Sequence, residues 1–253
     1  RRYLEKDNLM KRITLILFAV LATVSCKKVT PEQQITRIGT YFSNLEAPMA
    51  GQVERFDGSK RIDFLTLNLA KELDSEDIWT LENAGENSLI AEFPGKEKEL
   101  KRYTLISASL DDPAACAAVI DLMKAFKELK IRPRNTVRTL FYSTAADSTG
   151  FSGLHAVNEE IYDSHEIYEF GIEISSCDTL PKRTFVIEEN PMFASQLIET
   201  IQPYFLDGGY KFVKGTFPNP EWPLKLATYR YAIDPGSYKE DLKAIATIAM
   251  LLI

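Results

Sequence analysis

Tyr103-Thr104-Leu105-Ile106-Ser107, and then Leu110-Asp111-Asp112-Pro113-Ala114-Ala115-Cys116, decide how this chain folds. The first five residues read as a strand, and the Asp-Pro step after them opens a helix. That helix is expected over Pro113 to Lys130, because Cys116, Val119, Ile120, Met123 and Phe126 recur at helical spacing. Val137 to Tyr142 is the next strand and Phe170 to Ile174 another. Upstream, Ser88 to Phe93 is a strand closed by the turn Pro94-Gly95. Strands alternating with helices of this length imply an α/β fold, a three-layer sandwich with a mostly parallel central sheet. In such sheets ligands sit beyond the carboxyl ends of the strands, so chemistry is to be sought after Ser107, Tyr142 and Ile174.

Further helices complete the pattern. One is expected from about Pro31 to Leu45, with Ile35, Ile38, Tyr41, Phe42 and Leu45 on one face. Another follows Asp57-Gly58-Ser59 and carries Ile62, Leu65, Leu69 and Leu73 at helical spacing. Met192 to Phe205 is expected to be helical. The last helix opens with Ser237-Tyr238-Lys239-Glu240, which has capping-box spacing, and buries Leu242, Ile245, Ile248, Ala249 and Leu252.

At 253 residues, 45% hydrophobic and 26% charged, the chain has a globular composition, which excludes wholesale disorder and a disulfide-packed miniprotein. Its length suffices to bury a core without a partner. Residues 1–26 carry five basic and two acidic side chains, so the remainder holds 25 basic against 34 acidic, a net charge of −9. An acidic body is poorly suited to neutralising phosphate backbones, and nucleic acid is excluded as a partner. The basic residues belong to a leader. Met10-Lys11-Arg12 precedes an apolar run, Ile13 to Ala22, and then Thr23-Val24-Ser25-Cys26. This is the pattern of a secretory signal, too short to span a membrane. Small residues directly before a cysteine resemble a bacterial lipobox, which implies acylation at Cys26, with Thr23 where Leu is commonest. The expected organisation is an over-extended start plus lipoprotein signal over residues 1–26, a polar tether over 27–34 and one domain over 35–253. The chain is then exported to the bacterial cell envelope and held at the membrane by lipid. Export permits disulfides, and Cys116 and Cys177 are the two cysteines left to pair or to stay as buried thiols.

Several segments together resemble the zinc aminopeptidase, glutamate carboxypeptidase and glutaminyl cyclase group, metallopeptidase family 28. Tyr41 to Glu46 through Ala50-Gly51 is similar to that family's N-terminal helix and following turn. Asn87 to Gly95 resembles its strand ending in Pro-Gly. Asp111 through Lys130, then Arg132-Pro133-Arg134-Asn135-Thr136-Val137-Arg138, follows its helix and the lead-in to the next strand. Tyr231 to Leu242 resembles its closing segment.

The resemblance implies a zinc pair held by two histidines, a bridging aspartate, a glutamate and a further aspartate, with a second glutamate as general base. Two metals about 4 Å apart stabilise attacking and leaving oxygens together. Carried across residue by residue, most of that set is missing. The His-x-Asp strand end reads Ser109-Leu110-Asp111, and the Glu-Glu pair falls on Ala145-Ala146, with Asp147 one position late. Asp111-Asp112 is the alternative place for the bridging pair, and Glu173 stands where the later aspartate belongs. The C-terminal histidine position falls near Arg230 to Ala232. The chain has only two histidines, His155 and His165, and neither lies upstream of Asp111 or near the C-terminus. Neither family histidine is present.

The remaining metal candidates are therefore Asp111 and Glu173, as vestigial ligands. Plainer readings stand beside these: Asp112 with Pro113 is a helix cap, which leaves Asp111 as a second carboxylate with no capping task, and Glu173 within an apolar strand is a carboxylate needing a partner. His155 and His165 read as surface or structural residues, and Ser152 lacks a nucleophile elbow. Phe217, Trp222, Tyr229 and Tyr231 stand where the family builds a pocket wall, and core packing explains them equally. The expected function is a catalytically inactive binding protein without a cofactor, taking at most a peptide- or amino-acid-like ligand. The alternatives are an active aminopeptidase-type hydrolase using zinc at a rearranged site of Asp111, Asp112, Asp147, Glu173 and a histidine, and a structural envelope protein without a ligand.

Overall fold

The computed structural model describes residues 29–83, 86–97, 101–144, 166–176, 180–188, 191–205, 208–215 and 227–252. The chain divides into two compact units, Arg1–Thr36 and Arg37–Ile253. In the first, Thr30 and Gln33 cap each other at the start of helix α1 (Pro31–Ser43). The Thr30 N–H donates to Gln33 Oε1 at 3.1 Å, and the Gln33 N–H donates to Thr30 Oγ1 at 3.3 Å.

The second unit is built on the strand–helix–strand stretch from which the fold was read. β3 (Arg102–Ser109) is buried along its length apart from its two end residues. Asp112 follows as N-cap, its Oδ1 accepting from the Ala115 N–H at 3.0 Å, and Pro113 takes the first helical position of α4 (Pro113–Glu128). The helix stops two residues before the expected Lys130. Lys130 adopts a left-handed φ of 53°, its N–H donates to Lys127 O at 3.0 Å, and the Ile131 N–H donates to Phe126 O at 2.9 Å. That pair of bonds is a Schellman motif, formed with lysine where glycine is usual. β4 (Thr136–Tyr142) then returns parallel to β3.

Around this unit the sheet has eight strands in the order β1-β2-β4-β3-β5-β8-β6-β7. β1 (Ile78–Asn83) and β2 (Glu86–Phe93) form an antiparallel hairpin on one edge. β5 (Ile167–Ser175) lies parallel to β3, and β8 (Ala227–Ala232) parallel to β5. β6 (Thr184–Glu188) pairs antiparallel with β8, and β7 (Lys211–Lys214) closes the other edge parallel to β6. A lysine stands at each end of β7, which discourages further strand pairing there. This is the α/β architecture with a mostly parallel sheet that the sequence implies, although β1, β6, β7 and β8 are strands the sequence reading did not mark.

The two faces of the sheet differ. From α1, α2 (Ala50–Val53), α3 (Gly58–Leu69), α4, α5 (Pro191–Ile201) and α6 (Tyr238–Leu252), apolar residues join one large core against Ile106, Phe141, Ile172, Phe185 and Tyr231. The alternate residues Ile90, Leu105, Leu140 and Tyr142 form a smaller cluster on the opposite face. There Arg138, 7% exposed as a residue, bonds through its guanidinium to Glu92 and Glu166, and the group lies 4.2 Å from the ring centroid of Tyr103. α5 ends earlier than expected, at Ile201, and Gln202–Phe205 form a 3₁₀ turn. Pro203 has no N–H to continue the helix.

The expected capping box at Ser237 is not formed. Ser237 lies in a 3₁₀ turn, Pro235–Ser237, capped by Asp234, and its hydroxyl donates to Asp241 Oδ2 at 3.1 Å. Two buried carboxylates fix the start of α6. Asp241 Oδ1 accepts from the Tyr231 hydroxyl at 2.6 Å, and its Oδ2 from the Asp234 N–H at 2.9 Å. Asp121 Oδ2 accepts from the Met49 N–H at 2.9 Å and the Tyr238 hydroxyl at 3.0 Å, joining the lead-in to α2, the middle of α4 and the first turn of α6. Burial pushes the carboxyl of Asp121 up to about 6.

Candidate functional site

β4, β3, β5 and β8 are neighbours and run parallel, so Tyr142, Ser109, Ser175 and Ala232 end on one rim. Asp111 follows β3 by two residues and Glu173 lies two residues before the end of β5, so both reach that rim. Glu173 stands in register with Ser107 on one side and Arg230 on the other. By strand alternation its side chain shares the face of Leu105 and Tyr142, opposite the helices.

Both oxygens of Glu173 are engaged. Oε1 accepts from the Tyr142 hydroxyl at 3.0 Å, and Oε2 accepts from Arg230 Nε at 3.1 Å. The side chains are 11% exposed for Glu173 and 13% for Arg230. A carboxylate so far removed from water needs a charged partner, and the Arg230 guanidinium supplies one. Burial, and then the neighbouring Glu173 charge, push the phenol of Tyr142 far up, so it serves as a donor. This bridge links β4, β5 and β8 across β3, where the fully buried Ser107 hydroxyl has no hydrogen-bond partner among the described residues.

The two aspartates after β3 have different tasks. Asp112 is both helix cap and clamp, because its Oδ2 accepts from the Ser176 N–H just beyond β5. Asp111 is exposed, accepts from the Thr144 hydroxyl, and donates its own N–H to Ser109 Oγ at 3.1 Å. From α3, Arg61 donates through Nη1 to Leu110 O and through Nε to Phe56 O at 2.9 Å. Its guanidinium thus holds the loop that carries both aspartates. Cys116 is a free, buried thiol that donates to Ser109 O at 3.2 Å, and burial pushes it far above its ordinary range, so it is inert as a nucleophile.

Zinc requires deprotonated N, O or S donors with lone pairs turned toward one point, usually three from the protein at a catalytic centre. Among the described residues no three of His, Cys, Asp and Glu converge in this way. The oxygens of Glu173 and Asp112 face protein donors, and a guanidinium stands on β8 in the region where the family resemblance puts a histidine. The described residues do not fit a zinc pair.

Cys26, Ala145, Ala146, Asp147, Ser152, His155, His165, Cys177, Phe217 and Trp222 lie outside the described residues. Tyr231 belongs to the core, with its ring centroid 4.4 Å from that of Phe185. Tyr142, Arg61, Thr144 and Ser176 were not singled out from the sequence. Nothing in their local pattern distinguishes them, since each acts on a residue 31 or more positions away.

The fold defined by this sheet and rim is that of the zinc-dependent exopeptidases and glutaminyl cyclases. A leucine aminopeptidase precursor from Bacteroides thetaiotaomicron superposes with a TM-score of 0.58 at 12% identity, over 87% of this chain and 96% of that one. A glutaminyl cyclase from the same organism, solved with N-acetylhistamine bound, gives 0.57 at 12% identity over 87% and 97%. A family 28 peptidase precursor from Shewanella amazonensis gives 0.53 at 18% identity, over 66% of this chain and 44% of that one. No family model matches the chain, and no curated protein matches it in sequence. At these identities the likeness establishes the fold, and activity has to be argued from the rim itself.

Proposed function

We propose that this chain is an exported, lipid-anchored protein that keeps the zinc-exopeptidase fold, has lost the hydrolytic centre, and acts by binding a peptide- or amino-acid-like ligand. The observation that carries the reading is the engagement of Glu173 by Arg230 and Tyr142. A fixed positive charge beside Glu173, one of the two carboxylates that stand at family ligand positions, repels a divalent cation and consumes the lone pairs it would use. The sequence adds two losses: neither family histidine is present, and alanines stand where the general base and its neighbouring ligand belong. Loss of a general base alone commonly costs about 10²–10⁴ in rate. The leader around Met10-Lys11-Arg12 and the cysteine at position 26 support export and acylation.

Elemental analysis of protein purified without chelators, run beside hydrolysis assays on aminoacyl and N-terminal glutaminyl substrates, tests the inactivity. The expected result is substoichiometric zinc and no turnover. Near-stoichiometric zinc, or turnover that a chelator abolishes and zinc restores, would establish the rearranged hydrolase instead. Mass spectrometry of the native protein tests the anchor, with acylated Cys26 expected at the mature N-terminus.

A further inference from the structure

A cavity of about 490 Å³ opens at the opposite edge of the sheet from the Asp111–Glu173 rim. It lies where β2 ends and the parallel strands begin, since Phe93 of β2 pairs with Val137 near the start of β4. Three stretches line it: the connection from α3 to β1, the turn after β2, and Arg132 in the connection from α4 to β4.

The backbone of these walls is fixed. The Lys96 N–H donates to Pro133 O at 2.8 Å and the Glu97 N–H to Arg134 O at 3.0 Å, so the last two connections are joined. Gly95 seats so closely against them that an added Cβ would lie 2.3 Å from the carbonyl carbon of Asn135. In the α3–β1 connection the Leu73 N–H donates to Leu69 O at 2.8 Å and the Asp77 N–H to Asp74 O at 3.0 Å. Lys127 ties that connection to α4, donating to Lys71 O at 2.8 Å and pairing with Glu72 at 3.4 Å. A preformed recess of this size, with an apolar base and a few placed charges, has the character of a small-molecule site.

Its chemistry is sorted by stretch. Leu73 and Phe93 supply the apolar surface, and Phe93 is braced by Phe126 at 6.2 Å between ring centroids. The α3–β1 connection contributes only carboxylates, Asp74 and Asp77 beyond the paired Glu72. The joined turns contribute only cations, Lys96 and Arg132. Asp74, Lys96 and Arg132 are exposed and take part in no ion pair among the described residues. A ligand that is only anionic would meet the carboxylates, and one that is only cationic would meet Arg132 and Lys96. One bearing both charges around an apolar body meets Asp74 with its cation and Lys96 and Arg132 with its anion.

We propose that this cavity binds a zwitterion with an apolar side chain, a free amino acid or short peptide with open termini. Its carboxylate lies on Arg132 and Lys96, its ammonium on Asp74, and its side chain on Leu73 and Phe93. Arg132 offers the planar fork that matches a carboxylate in two bonds. This rests on the reading above only in giving the peptide-like ligand a place, and not on the inactivity of the rim.

The test is isothermal titration of the full chain with leucyl-phenylalanine, beside the same dipeptide N-acetylated and C-amidated. Saturable binding with a Kd on the order of 0.1–1 mM is expected for the open dipeptide. Asp74→Asn and Arg132→Ala are each expected to weaken it about tenfold, the size of one charge-assisted contact, and the blocked dipeptide, which loses both charges, about a hundredfold. Asp111→Asn, at the opposite rim, is expected to leave it unchanged. All three protein variants are at exposed positions, so folding is preserved and circular dichroism verifies it. Binding lost in Asp111→Asn but kept in the two cavity variants would move the ligand to the rim, overturning this proposal while sparing the functional one. Absence of saturable binding to wild type at about 10 mM would overturn the cavity as a zwitterion site, and the zinc and hydrolysis measurements would still stand on their own.

Discussion

Arg230 and Glu173 are each less than one-seventh exposed, so removing Arg230 strands Glu173 in a place where water cannot replace the lost cation. Arg230→Met is expected to destabilise the protein by about 2–4 kcal/mol, most of it the cost of a buried carboxylate left with only the Tyr142 hydroxyl. The double change Glu173→Met with Arg230→Met should cost clearly less than the sum of the single changes, with a coupling of about 1–3 kcal/mol. Denaturant unfolding of the four proteins reads this directly. Additive effects, or a single change within about 0.5 kcal/mol of wild type, would mean the bridge does not hold the rim. The contrast with Asp112 shows what a sequence exposes. Asp112 caps a helix three residues away, and Asp-Pro before a helical pattern announces that. Glu173 finds its cation 57 residues downstream, on a strand whose existence only the sheet reveals. Its need for a partner could be read, and the partner's identity could not.

Among the elements, α4 carries a specific weakness at its C-terminus. Lys130 holds φ at 53° inside a Schellman motif, a conformation that costs an L-residue roughly 1–2 kcal/mol and glycine little. Lys130→Gly is expected to stabilise the chain by about 0.5–1 kcal/mol, the gain being partly offset by the extra freedom of glycine in the unfolded chain. A loss of stability on thermal unfolding would show that the Lys130 side chain has a role the backbone geometry does not disclose. The elements legible in the sequence were those with long, regular apolar patterns: α1, α3, α4, α6 and strands β2 to β5. β7 has four residues, two of them lysines, and β8 reads Ala-Thr-Tyr-Arg-Tyr-Ala, too short and too mixed to stand out. Such strands are made by their neighbours rather than by their own composition. At α5 the apolar period continued past Ile201, while the missing N–H of Pro203 ended the helix.

On the scale of the molecule, Asp121 makes stability depend on pH. The residue is 1% exposed, and its carboxyl has both hydrogen bonds on Oδ2 and none on Oδ1 among the described residues. Burial raises it from an ordinary 3.8 to about 6, against hydrogen bonds from Met49 and Tyr238 and the charge of Lys124 that act the other way. The folded state therefore holds this proton more tightly than the unfolded chain. No penalty arises below about pH 4, stability falls as pH rises from about 4 to 6, and the full cost persists above. Asp121→Asn is fixed in the neutral form. Wild-type stability relative to that variant should drop by about 1–3 kcal/mol between pH 4 and pH 7, and titrations common to both proteins cancel. A difference that stays constant across that range would show Asp121 to be charged throughout.

The position of β8 has a consequence in time. It lies between β5 and β6, although β6 and β7 both precede it in the chain. Before Ala227–Ala232 docks, β5 and β6 each leave a line of amide and carbonyl groups unpaired, because β8 is the strand that fills the gap between them. The sheet cannot close from its beginning, and its last strand acts as a keystone set from the side. A sheet without it has two unguarded seams, open to any strand of a neighbour.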